Sequence, residues 1–511
     1  MLKTISFLFI FLISFAVNCQ SVPNDYEELW QKVEKYEGTG LPKSALQIVE
    51  NILEKAKREN NSPQIVKSLL FQSKYILTVE EGARLKILAD FNRTIAASGF
   101  PTENILEGIL ANMYWQYFQA NRYRFYQRTK TKEKVDSTDF RTWDLQTLMN
   151  EVNLHFQRSL ENGDKAKQLK LKDFAAILSE APGSKKLRPT LFDFLGHLAL
   201  DFYKNPENQI AEPVYKFEVD RKDFLETAED FAKLEINTKD SLSLSVQALK
   251  IYQGLIRFHL KDKSQAALAD VNIARLKYVQ SLATFPNSQK IFLKTLKAER
   301  ENSQDSEAGA LYTYEIASLY YDMGKEYNSK TNPEPRWKIK EAFELCEACI
   351  SEFRKTKGAE KCAVLREMIL KKTLEIFTEE FLPVQKNAKM LVSYKNIDSL
   401  NFELYALSEK EIDSFQKYRS KLGKIGFMEK LKLIKHWVSN LRNKGDFREH
   451  STEILLPKME NGHYLIYATT ADEEKKITAF EMLQVTDLAV VEKTGNGKVI
   501  FQIVDRNNGK P

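Results

Sequence analysis

Three cysteines crowd one short stretch: Cys346, Cys349 and Cys362. Cys346-Glu-Ala-Cys349 has the spacing of a redox or metal motif. A redox pair, however, needs its first cysteine at a helix N-terminus, where the helix dipole lowers the thiol pKa. The helical period here puts the pair in mid-helix, well after Trp337. Structural zinc takes four ligands; with Cys362 only three are at hand, and no histidine is near. The reading is small residues buried at a helix-packing seam. Of the four cysteines, Cys19 falls in the N-terminal apolar leader, and the odd trio that remains argues against a disulfide framework; pairing of Cys362 with Cys346 or with Cys349 is left open.

A second constellation interleaves aromatics with bases: Tyr114, Trp115, Tyr117, Phe118, Tyr123, Phe125 and Tyr126 among Arg122, Arg124, Arg128, Lys130, Lys132 and Lys134. Aromatic platforms with basic neighbours stack bases or sugars. At helical spacing the same residues pack a core while arginine snorkels to water. Packing is the main expectation, and Trp115, Tyr117, Arg122, Tyr123 and Arg124 are retained as an interaction surface. The histidines (His155, His197, His259, His436, His450 and His463) are scattered, with no pair at i, i+4. No phosphate loop, no Gly-x-Ser-x-Gly elbow and no His-Glu-x-x-His occurs. No catalytic, cofactor-binding or metal-binding residue is assigned, and no cofactor is expected.

The elements that must carry these residues are mostly helical. Ala45, Ile48, Val49, Ile52, Leu53 and Ala56 share one face of a helix opened by Pro42. Tyr314, Ala317 and Tyr321, a turn at Asn332-Pro-Glu-Pro335, and Ala342, Cys346 and Cys349 read as one helical hairpin. Its small-residue offsets recur at Ala45, Val49 and Ile52 and at Ala267, Val271 and Ala274. Such hairpins stack into arrays. The array is tetratricopeptide-like, or another all-helical array, over residues 20–385.

The period changes near residue 385. Met390–Tyr394, Leu400–Tyr405, Ser451–Pro457, Gly462–Ala468 and Ile477–Met482 read as strands of a β-sandwich over 386–482, with a helical insertion at about 409–442. Residues 483–511 add Leu483–Glu492, the turn Thr494–Lys498, Val499–Val504 and a further turn, Asp505–Pro511. They are expected to be an incomplete β segment, poorly packed.

Residues 1–19 read as a signal peptide, with Lys3 before the apolar run Ile5–Val17 and cleavage between Cys19 and Gln20. The rivals are a membrane helix, for which the run is short of the roughly 20 residues needed, and a lipoprotein acylated on Cys19. The expected location is therefore the periplasm or outer envelope, with no membrane span beyond a possible N-terminal lipid anchor. The 76 basic and 70 acidic residues leave a net charge of +6, no footprint for nucleic acid over this length.

Several stretches together resemble the large secreted alpha-2-macroglobulin-like proteins of Bacteroidetes. They are Tyr26–Trp30, Gly40–Leu46, Asn112–Phe118, Phe140–Gln146, Arg188–Phe194, Leu456-Pro457 with Gly462-His-Tyr464, and Val504–Pro511. The resemblance implies a string of macroglobulin β-domains that traps or inhibits proteases. It also makes 483–511 the start of a second such domain and the chain the front part of a longer molecule. The family's Cys-x-x-Glu-Gln thioester does not occur in this sequence, and the bait region is absent as well. The expectation is a non-enzymatic scaffold whose partners are further macroglobulin domains and proteases. The alternatives are a polysaccharide lyase or glycosidase with a helical toroid and a C-terminal β-domain, and a glycan-binding surface lipoprotein.

Overall fold

The computed structural model describes residues 25–128, 136, 138–179, 181, 183–206, 216–240, 243–304, 306–471, 476–495 and 497–511. The signal-peptide residues, Cys19 and Gln20, lie outside the described residues. A helical array is followed by a smaller β region, as the change of period requires. The chain divides into two compact units, one ending at Ser288 and the other beginning at Gln289.

The first unit contains α1 (Asp25–Gly38), α2 (Pro42–Arg58), α3 (Ser62–Val79), α4 (Ala83–Ala97), α5 (Thr102–Tyr126) and α6 (Leu145–Ser159). The short α7 (Gly163–Ala166) and α8 (Ser184–Leu187) follow, then α9 (Leu191–Tyr203), α10 (Ala228–Lys233), α11 (Leu244–His259) and α12 (Ala266–Leu282). Pro42 opens α2, where its missing N–H costs nothing, and Ala45, Val49, Ile52, Leu53 and Ala56 form its buried stripe. Helix α3 starts where Asn61 accepts from Gln64 N. A capping box of Thr190 and Asp193 opens α9. These helices pair as neighbours in the chain: α1 with α2, α2 with α3, α5 with α6, α11 with α12.

The second unit begins with α13 (Ser288–Asn302), α14 (Glu307–Lys325), α15 (Lys338–Glu352) and α16 (Lys357–Leu370). Gly358 lets α16 approach α14 closely, since a Cβ there would come within 2.3 Å of the Ala310 carbonyl carbon. The β region follows: β1 (Thr373–Phe377), β2 (Phe381–Leu382), β3 (Lys389–Lys395), β4 (Ser399–Leu407), α17 (Glu409–Lys417), α18 (Lys421–Met428), β5 (Lys432–Asn440), β6 (His450–Leu455), β7 (Gly462–Thr470), β8 (Thr478–Val485), β9 (Leu488–Gly495) and β10 (Lys498–Asp505).

One sheet has the order β1-β3-β6, a second β2-β8-β7-β4-β5, and β9 pairs only with β10 among the described residues. Alternate residues of β3 and β4 point inward, and Met390, Val392, Leu400, Phe402, Ile466 and Val485 fill the space between the two sheets. The outer face of the five-stranded sheet is covered by α17 and α18 through Phe415, Met428, Leu465 and Tyr467.

Three expected extents change. The first strand lies at 373–377, ahead of the boundary drawn at 385. The preceding helices also belong to the β-containing unit: Asn396 Nδ2 donates to Ile369 O at 2.9 Å, Phe447 lies 4.8 Å from Phe343, and Arg448 donates to Gly324 O. Such inter-element contacts leave no mark on local periodicity. The insertion read as helical to 442 ends at Met428, and 432–440 is the edge strand β5. Its lysines suggested a helix face, yet β5 pairs with β4, and Trp437 stacks on Phe402 at 5.1 Å. The strand read as 483–492 is two strands: β8 ends at Val485 and β9 starts at Leu488, around Asp487, whose Oδ1 accepts from Val384 N.

Candidate functional site

In the first unit, α5 carries the aromatic and basic stretch. Tyr114, Phe118 and Phe125 are core residues. Trp115 is half-buried with its ring edge-on to Phe202 at 5.9 Å. Tyr117 packs against Phe140 at 4.7 Å and lies under Arg84. Helix α5 kinks at Asn121, whose Nδ2 donates to Tyr117 O at 2.9 Å. The kink separates these packed rings from Tyr123 and Arg124, which are exposed, and from Arg122, half-buried beside the Tyr123 ring. The five residues thus split into a packed pair, Trp115 and Tyr117, and a group beyond the kink in which Tyr123 and Arg124 are exposed and Arg122 is half-buried. They do not form one continuous platform. Arg128 donates to Trp143 O at 2.7 Å and covers Phe125, as a snorkelling arginine does. Lys130, Lys132 and Lys134 lie outside the described residues.

Two histidines that looked isolated in sequence sit in buried charge clusters. His155 Nδ1 is hydrogen-bonded to Glu107, Glu151 lies 3.6 Å from Nε2, and Tyr114 stacks on the imidazole at 5.7 Å. His259 bridges two carboxylates, Nε2 to Asp193 at 2.6 Å and Nδ1 to Asp262 at 2.7 Å. The other oxygen of Asp193 accepts from Thr190 N and Oγ1, so one carboxylate caps α9 and ties it to α11. Burial is the largest single influence and lowers both imidazole pKa values. The flanking carboxylates together outweigh it, so both histidines end above their ordinary value. At nearby His197, burial together with the Arg188 charge pushes the imidazole pKa down to about 3.

Sequence reading missed these clusters. Glu151 and His155 share a face of α6 at i, i+4 and were legible; Asp262 follows His259 by three residues, just past the end of α11. Glu107 and Asp193 come from other helices. All four key side chains, Glu107, His155, Asp193 and His259, are at most 3% exposed. They tie helices together, and among the described residues no group of three or more His, Cys, Asp or Glu side chains is arranged to hold a metal ion.

In the second unit, one exposed apolar feature is the β9–β10 hairpin. Its register puts Val490 opposite Ile503, with Leu488, Val499 and Phe501 on the same face. Each of these five is between 51% and 65% exposed. The base is anchored: Arg506 N donates to Asp487 O at 2.6 Å and Arg506 Nη1 to Phe381 O at 2.8 Å. The following turn closes on itself, with Asp505 N to Lys510 O and Gly509 N to Asp505 O, both 2.8 Å. The same unit holds an open cleft of about 500 Å³ lined by Lys297, Arg300, Glu301, Tyr320, Glu341 and Glu344, charges of both signs in near balance. No helix among the described residues is long and apolar enough to cross a membrane.

No family model and no curated protein matches the sequence. Among solved structures, the chain is similar to a fragment of Escherichia coli alpha-2-macroglobulin spanning domains MG0-NIE-MG1. That match has 14% identity and a TM-score of 0.21, and covers 27% of this chain and 46% of the fragment. A shorter NIE-MG1 fragment of the same protein matches with 13% identity and a TM-score of 0.21, over 27% of this chain and 72% of that one. The CARDB domain of the PF1109 protein from Pyrococcus furiosus matches with 20% identity and a TM-score of 0.15, over 23% of this chain and 88% of the domain. The chain thus spans under half of the longer macroglobulin fragment. At these scores the likenesses assign no activity.

Proposed function

We propose that this chain is a non-catalytic protein of the cell envelope, exported across the inner membrane. In this reading the helical array is a scaffold, and the C-terminal strands engage β-domains of the alpha-2-macroglobulin type. The sequence stretches that resemble that family support the reading. The observation that carries it is the β9–β10 hairpin. Leu488, Val490, Val499, Phe501 and Ile503, on a face shared with Glu492, Thr494 and Asp505, leave a mainly apolar surface open to water, and a two-stranded ribbon is marginal on its own. A partner that fits must offer an apolar sheet face and a strand edge, which a β-sandwich domain supplies. Proteases are then targets of the assembled molecule, since the thioester motif is absent from this sequence.

The test places a photo-reactive phenylalanine analogue at Phe501 in the full chain, in its native cells. The expected adduct joins Phe501 to a peptide of a macroglobulin-like β-domain. Adducts only to glycan or lipid, or none, would overturn the reading. Turnover of an acidic polysaccharide by the purified chain would replace it with the lyase alternative.

A further inference from the structure

Positive charge is concentrated in one segment of the second unit. Residues 417–435 carry six lysines and Arg419 against one carboxylate, Glu429, a local charge of +6 equal to that of the whole chain. The rest of the sequence is therefore balanced. The segment runs from the last residue of α17 through the following loop and all of α18 into the first residues of the edge strand β5. Helix α18 has eight residues, so its ends lie about 12 Å apart, close enough for the fields of neighbouring cations to add.

Two features set this patch apart from an ordinary solvated face. No ion pair among the described residues engages any of the seven cations. Lys421 Nζ instead donates to Thr478 O at 3.2 Å, Lys424 lies over the Phe415 ring at 4.9 Å, and the other five are exposed. Large apolar side chains also stand open among them: Leu422 is 83% exposed, and Tyr418, Leu433 and Ile434 are exposed as well. Helix α18 packs Met428 and Ile425 onto the five-stranded sheet, and Leu422 takes no part in that packing. Lysines on an edge strand deter strand pairing, which accounts for Lys432 and Lys435. That role calls for neither the cations ahead of β5 nor an open leucine between them.

We propose that residues 417–435 are a docking surface for an anionic lipid bilayer, with the cations among the headgroups and Leu422 reaching the acyl boundary. A segment that lies on a bilayer without spanning it combines basic and apolar side chains in this way. Each cation near an anionic surface tightens binding about fivefold. A polyanion with no apolar phase would leave Leu422 in water. A folded acidic partner needs a continuous apolar core at its contact, and single apolar tips between charges do not make one. These residues are separate from the β9–β10 hairpin, so bilayer docking does not rest on the hairpin's partner.

The experiment sediments the full chain with vesicles of pure phosphatidylcholine and with vesicles holding about one third phosphatidylglycerol. The neutral vesicles give the baseline set by the apolar N-terminal run, which is present in every sample. Binding to the anionic vesicles is expected to be at least about a hundredfold tighter and to fall to the baseline in high salt. Replacing Lys430, Lys432 and Lys435 together by Gln is expected to remove most of that gain, and Leu422→Ser to weaken binding about tenfold. Leu422→Trp is expected to be quenched by brominated acyl chains in anionic vesicles. Equal binding of the wild type to both kinds of vesicle would overturn the proposal. So would anionic binding that Leu422→Ser leaves unchanged and polyglutamate abolishes, which would assign the patch to an acidic polypeptide. The wild-type comparison decides even if a variant fails to fold.

Discussion

Strands β7 and β10 are of similar length and both are apolar, yet they have opposite fates. Every residue of β7 from Tyr464 to Thr470 is buried, whereas Val499, Ile500, Phe501 and Ile503 of β10 are exposed. The difference lies in layers. β7 sits between the sandwich core, which takes Tyr464, Ile466 and Ala468, and the helices α17 and α18, which cover Leu465 and Tyr467. β10 has one neighbour strand and no layer on either face among the described residues. An apolar strand is buried only as far as other elements cover it.

Truncation should reproduce that contrast. Phe402→Ala empties the sandwich core beneath Trp437 and should cost about 3–5 kcal/mol in urea unfolding of the β-containing unit. Leu465→Ala, on the face under α17 and α18, should cost about 2–4 kcal/mol. A loss below about 1 kcal/mol would mean that the insertion helices are no true second layer.

The helical unit gives a graded effect with a sign. His155 and His259 have pKa values raised above 6.5, so their contribution is complete below that pH and lost as pH rises through the elevated values. His197, at about 3, does the opposite: its contribution is present above 6.5 and lost as pH falls towards 3. The gap in unfolding midpoint between wild type and His259→Gln should therefore shrink as pH is raised from 6 to 9. A constant gap would show that the two carboxylates do not hold the imidazole charged.

Smallest of all should be Phe501→Ser, at a ring 65% exposed on the open hairpin, which should shift stability by less than about 0.5 kcal/mol. A large loss there would erase the contrast with β7.

Much of the architecture was readable. The stripe on α2, the strands at 390–394 and 400–405, and the weakly covered strands after 488 follow from side-chain period and turn chemistry. The extent of the 409–442 segment was not, because Lys432, Lys435 and His436 are polar on an edge strand for the same reason that they would be polar on a helix. The grouping of α13–α16 with the sandwich was hidden too, since it rests on contacts such as Arg448 with Gly324 that join residues far apart in the chain.

The candidate surface on α5 was half legible. Spacing showed which rings pack, but only the kink at Asn121 separates Trp115 and Tyr117 from Tyr123 and Arg124. The histidine clusters were legible only along their own helices.

Sequence alone determined the local matters: where helices start, which faces are apolar, and where period 3.6 gives way to period 2. Those are set by a residue and its near neighbours through backbone sterics and side-chain direction. Tertiary structure decided what each face meets. It placed Asp193 against His259, buried β7 and left β10 open. Burial and pairing depend on elements distant in the chain, and no local pattern encodes them.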